Sequence, residues 1–189
     1  MVPNLEALDI YPSNAERYAL VTPDKFFHLR QLRIELFKPD YDYFSLVSLL
    51  DACPFLEKFV LRVEPDQLEQ ESVLVDSSRD LRQMTGHLHS NIRDVQIIYF
   101  CSARSIVELT CHILENAKSL KWLTLSTLYK CEFSCSHGEN GKCLPMSRDM
   151  IMEARKALLV VERYIVEKVP SSVELKVVEP CSRCIPLEI

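Results

Sequence analysis

Apolar residues recur along the chain in a six-residue pattern, L-x-x-L-x-L, whose second half alternates apolar and polar positions. Leu5, Leu8 and Ile10 set it out first, and Leu29, Leu32 and Ile34 repeat it 24 residues on. Leu56, Phe59 and Leu61 follow after 27 more, Ile92, Val95 and Ile97 after 36, and Leu120, Leu123 and Leu125 after 28. Leu175 and Val177 form a shortened sixth copy, 52 residues beyond Leu123. Period-two alternation predicts strands with one buried face. Between the copies the period changes. Ile106, Leu109, Ile113, Leu114 and Ala117 fall on one helical stripe. So do Phe44, Val47, Leu50 and Cys53, a stripe widened by Leu46 and Leu49 and stopped by Pro54. A third helix opens at Ser147, carries Ile151, Ala154, Leu158, Val161 and Ile165 inward, and ends before Pro170. Ser105 stands three residues before Glu108, the spacing of a capping box, which predicts the start of the central helix.

A strand–helix unit of this kind cannot bury its strand face and its helix stripe alone; it needs copies of itself on either side. Most steps fall near the roughly 20–29 residues of a leucine-rich repeat. The reading is therefore one α/β domain over residues 1–189, a leucine-rich-repeat solenoid bent into a horseshoe-like arc. Its sheet is mainly parallel and its helices lie on the convex side. The two long steps hold insertions at 65–85 and 128–146. An ordinary open α/β sheet gives the same alternation, and an enzyme of that class would carry its site at the carboxyl ends of the strands. Tyr11, Phe37, Tyr99 and Phe100 stand there in place of convergent His, Asp or Ser. The first repeat begins without a polar cap, so the chain is expected to be part of a longer protein or a shortened version of one.

Composition narrows the function. A chain of 189 residues buries roughly 70% of its unfolded surface without staples. Only 3 glycines argue against phosphate-cradling loops, and a net charge of −5 without a basic tract makes nucleic acid and anionic membrane unexpected partners. No apolar run reaches membrane-span length and no signal-peptide pattern opens the chain, so the cytosol or the nucleus is the expected location. There the 8 Cys are expected to be reduced or metal-bound. The first insertion sets Asp66, Glu69, Glu71, Asp76 and Asp80 against Arg79 and Arg82. It reads as a solvated loop with a short pairing at Ser72 to Val75, or as an acidic partner-binding loop.

No catalytic motif appears, so the chain is read as a non-enzyme. Cys111 and His112 are adjacent within a helix, where their side chains diverge by about 100°; Cys111 reads as a packed small hydrophobe. His87 and His89 have the spacing to share a metal if extended, or to serve a turn or a partner. Cys131, Cys135, His137 and Cys143 make the second insertion the Cys-dense stretch. Cys181-x-x-Cys184 lies between Pro180 and Pro186, so no helix follows to acidify a redox thiol. Two readings stay open. Cys181 and Cys184 complete a structural zinc site with Cys131 and Cys135, His137 and Cys143 serving as substitutes, or all remain free thiols. No other cofactor is expected.

The residues alternating with the buried leucines point away from the helices. They are Asp9 and Tyr11, Arg33 and Glu35, Lys58 and Arg62, Asp94 and Gln96, Trp122 and Thr124, Glu174 and Lys176. Together they form a mixed-charge concave strip, the candidate surface for a protein partner. Trp122 is either its anchor or a residue packed beneath the second insertion.

Three segments carry a family resemblance: GHLHSNIRDVQIIYFCSARSIVELTCHILENAKSLKWLTLS, KCLPM and ARKALLVVERYIVEKVPSSVELKVVEPCSRC. They resemble the repeat portion of plant F-box proteins with an FBD-like C-terminal region, the grass branch in particular. The resemblance covers Leu56 to Cys184 and is sharpest in the last hundred residues. It implies substrate recognition for a Skp1–cullin ubiquitin ligase, with an unidentified protein as substrate. These residues contain no F-box, so direct binding of Skp1 is not expected of them. The Asn or Cys that usually closes each repeat is replaced by Ser13, Phe37, Glu64, Phe100 and Leu128, so regular Asn ladders are not expected.

Overall fold

Six short strands line up in chain order, every neighbouring pair parallel: β1 (Ala7–Ile10), β2 (Gln31–Leu36), β3 (Lys58–Val63), β4 (Asp94–Ile98), β5 (Trp122–Ser126) and β6 (Glu174–Val178). The computed structural model describes residues 5–11, 26–36, 41–63, 71–75, 80–84, 88–128, 145–182, 184 and 185. The register follows the sequence repeat. Leu8, Leu32, Phe59, Val95, Leu123 and Leu175 form one row across the sheet, and Ile10, Ile34, Leu61, Ile97, Leu125 and Val177 the next. A one-residue slip in any strand would turn its row to the other face, so burial itself pins the pairing.

The residue after each repeat's first leucine supplies a second kind of ladder. The carbonyl of Glu6 accepts the N–H groups of both Arg30 and Gln31; Arg30 accepts from Glu57 and Lys58; Glu57 from Arg93 and Asp94; Arg93 from Lys121 and Trp122. One carbonyl thus satisfies two donors of the next repeat at the amino ends of the strands. Of the positions where an Asn would usually stand, Phe100 and Leu128 are buried apolar residues, while Ser13, Phe37 and Glu64 lie outside the described residues. Lateral bonding continues past the strands through backbone instead, from Phe100 N–H to Ser126 O and from Thr127 N–H to Val178 O.

The helices cover the leucine rows on one side. A 3-10 turn (Tyr43–Leu46) runs into α1 (Val47–Asp51), and Phe44, Leu46, Val47, Leu50 and Cys53 are all buried. Asp42 caps this turn by accepting from Phe44 N–H. The central helix, α2 (Arg104–Asn116), is buried at every position from Ser105 to Leu114, because other helical segments flank it on both sides. α3 (Arg148–Val160) is capped by Ser147, as its sequence predicts, and runs on through a π-helical turn (Val161–Ile165) and a 3-10 turn (Val166–Lys168). Its buried face differs from the stripe expected. Ala157, Val160 and Val161 face inward and Leu158 is only half-buried. The wider turn holds an extra residue, so Val160 and Val161 can both reach the core before Ile165.

The capping box at Ser105 and Glu108 does not form. Ala103 is the cap, without a side-chain bond. Backbone does the capping: Arg104 N–H donates to Glu71 O, and Ala103 O accepts from Ile106 and Val107. Glu71 reaches this place because Ser72 bridges to Ala103 in an antiparallel contact. The pairing expected over Ser72 to Val75 is therefore confined to Ser72, with Val73 to Val75 turning away and Val73 buried.

Candidate protein-binding face

Alternation places the predicted strip on the face of the sheet opposite the helices, and none of its members is buried. Much of its charge is already paired. Arg33 donates through Nε and Nη2 to Glu35 Oε1 at 3.1 and 3.0 Å. Lys58 Nζ lies 3.0 Å from Asp94 Oδ2, and Gln96 Nε2 donates to both Asp94 oxygens. Exposed pairs of this kind are worth about 0–1 kcal/mol each; their effect is to hold side chains in one arrangement. Arg62 is half-buried between Glu35 and Ile98 in register, and Thr124 is half-buried between Gln96 and Lys176. Tyr11 follows β1 at 43% exposure, and Glu174 and Lys176 are open on the last strand.

Trp122 stands between Asp94 and Glu174 in register and is 48% exposed. Residues 129–144 of the second insertion, the element that could lie over it, are outside the described residues. Lys121 Nζ lies 5.9 Å from the centre of its ring, at the limit of a cation–π contact. The face is less polar than alternation alone implies. Val60, level with Arg33 and Gln96, is buried, as are Ile98, Ser126 and Val178 in the row beyond Trp122 and Thr124. Val178 and the carboxyl end of β5 are covered by a second small core of Leu128, Met146, Ile151, Ala154 and Cys184. The carboxyl ends of the last strands, where an open-sheet enzyme would hold its site, are thus filled with side chains.

Cys181 and Cys184 come together on a turn closed by Cys184 N–H to Cys181 O, with their sulfurs 3.7 Å apart. Cys131, Cys135, His137 and Cys143 lie outside the described residues, as does His87. Among the described residues, no group of three or more His, Cys, Asp or Glu is arranged to hold a metal. Cys111 is buried and its thiol faces Tyr164 O, the packed role expected of it.

Two polar clusters were invisible in the sequence. Arg82, in the first insertion, reaches back to the helices. Its backbone N–H and Nε donate to the two oxygens of Glu108 at 2.9 and 2.7 Å, and Nη1 and Nη2 donate to the two oxygens of Asp42 at 2.8 and 2.7 Å. Its guanidinium also sits 4.8 Å from the centre of the Phe44 ring. The Glu108 side chain is fully buried, and Arg82 holds the Asp42 carboxyl below its ordinary value. At least this part of the insertion is anchored rather than a freely solvated loop. His89 is buried too, which corrects a turn-forming or partner-facing role. Its Nε2 is 3.6 Å from Asp51 Oδ1 and its ring meets that of His112 edge-on at 5.8 Å.

An open cleft of about 330 Å³ lies at the amino ends of the first strands, between Phe27 and Phe55, with Glu6, His28 and Arg30 at its rim. That is the small end of the range for ligand pockets, and it brings no nucleophile and base together. No helix among the described residues is long and apolar enough to cross a membrane.

A parallel sheet with one repeat per strand, helices on one side and an accessible face on the other defines a leucine-rich-repeat domain, a class of protein-interaction module that is generally not enzymatic. The chain belongs to the plant family described as "At1g61320/AtMIF1, LRR domain", whose model matches residues 1–182. No curated protein and no solved structure matches it.

Proposed function

We propose that this chain recognises a protein through the open face of its sheet, with Trp122 as the anchor and Arg33, Glu35, Lys58, Arg62, Asp94, Gln96, Thr124, Glu174 and Lys176 around it. The observation that carries the reading is the half-exposed indole among side chains whose charges are largely paired beforehand. Ordered polar neighbours lose little freedom on binding, and Trp and Arg dominate interface energetics. The finer reading is a substrate receptor of a Skp1–cullin ubiquitin ligase acting in the cytosol or nucleus. It is supported by the resemblance of Leu56 to Cys184 to plant F-box proteins, and it leaves Skp1 docking to an F-box outside these repeats.

The test places a photo-crosslinking residue at Thr124 on the open face and, separately, at Leu159, which is exposed on α3. Each protein is irradiated in plant extract, and the captured partner is then titrated. Crosslinks should form from position 124. Trp122→Ala and Arg62→Ala should each weaken the partner about 30-fold, or about 2 kcal/mol, at unchanged melting temperature. Capture from position 159 alone, or unchanged affinity in both variants, moves the binding surface to the helices. For the ligase reading, the captured partner should gain ubiquitin when the chain is fused to an F-box and supplied with the reconstituted ligase. Binding without ubiquitin transfer sinks that reading and leaves the interaction module.

A further inference from the structure

We propose that Cys181 and Cys184 are a two-thiolate binding site for a zinc ion. The separation of the sulfurs is the first argument. Two thiolates bound at about 2.3 Å to a tetrahedral zinc lie about 3.8 Å apart; these two lie 3.7 Å apart without it. The second is how that spacing is held. The turn is closed by Cys184 N–H to Cys181 O at 2.9 Å, and Cys184 O in turn accepts from Met146 N–H at 3.0 Å. Cys184 is walled by Leu128, Met146, Ile151, Ala154 and Val178, whereas Cys181 is only half-buried, so an ion can arrive from the Cys181 side. A disulfide would need the sulfurs to close to about 2.05 Å, a movement that zinc does not require.

The other described thiols do not compete. Burial pushes Cys53 and Cys101 up to about 12 and Cys111 to about 11, and all three are enclosed in the main core. Binding forms two Zn–S bonds and releases the two thiol protons; no electrons move. The remaining coordination positions belong to water or to further donors.

Cobalt(II) serves as the spectroscopic probe, added to the whole chain under a non-thiol reductant. Thiolate-to-cobalt charge-transfer absorption should appear with the visible bands of a tetrahedral site, and one equivalent of zinc should displace it. Cys181→Ser should abolish or halve the charge-transfer band, while Cys53→Ser leaves it intact. Because a buried substitution at Cys184 can harm folding, X-ray absorption on the zinc-loaded wild-type protein gives a second readout, expected to count at least two sulfur ligands. The proposal is overturned by fewer than two sulfurs, by a band that survives Cys181→Ser undiminished, or by a 181–184 disulfide that persists in the presence of the reductant. Identical melting with zinc and with chelator also overturns it.

Discussion

Removing Arg82 tests whether a loop side chain holds this fold together. Among the described residues, Arg82 supplies the donors to a fully buried carboxylate: Glu108 takes its backbone N–H and its Nε, while Asp42 takes the two terminal nitrogens. Arg82→Ala deletes the charge and leaves Glu108 with the backbone donor. Breaking a buried ion pair from one side costs about 3–5 kcal/mol. Arg82 is itself half exposed, so water can enter the space it leaves, and the lower end, about 3 kcal/mol, applies. For a chain of this length that corresponds to roughly 6–12 °C in melting temperature. Asp42→Asn is the control. It removes the exposed charge but keeps an oxygen to cap Phe44, and should cost under about 1 kcal/mol. Arg82→Lys should fall between, because an ammonium cannot serve both carboxylates with a planar fork. The assay is urea unfolding followed by circular dichroism, with an unchanged m-value to confirm that only stability moved. An Arg82→Ala cost below about 1 kcal/mol, or equal to that of Asp42→Asn, would refute the reasoning.

Two further outcomes follow from the core. Leu123 is fully buried in the row it shares with Val95 and Leu175, so Leu123→Ala should cost about 2–5 kcal/mol in the same assay; a cost near zero would put that row on the solvent side. Burial pushes the His112 imidazole below its ordinary value, with Asp51 and Glu115 pulling the other way, so the unfolded chain binds this proton more readily than the folded one. Its contribution is complete above about pH 6.5 and is lost as pH falls through that value toward the depressed folded one, at no more than about 1.4 kcal/mol per pH unit. His112→Gln should flatten the pH dependence of the urea midpoint, and an unchanged slope would refute the assignment.

The repeat itself was legible in the sequence because burial in a strand has a period of two. Leu32, Phe59, Val95 and Leu123 could stand in one row only if their strands paired in parallel and in step, and local alternation already said which face was apolar. The same alternation located the open-face strip from Arg33 to Lys176. Ser147 was readable as a cap because capping is local, decided within three residues. What could not be read depended on partners distant in the chain. The Ser105–Glu108 spacing matched a capping box, yet Glu108 lies 26 residues from Arg82 and is held by it, and Arg104 N–H is taken by Glu71. His89 carries no sequence mark of burial until Asp51 and His112 surround it. On the open face, pattern alone made Val60, Ile98, Ser126 and Trp122 equivalent. Only the tertiary structure separated them, burying the first three and leaving the indole exposed, because exposure is set by what the rest of the chain brings to a position and not by the position's own period.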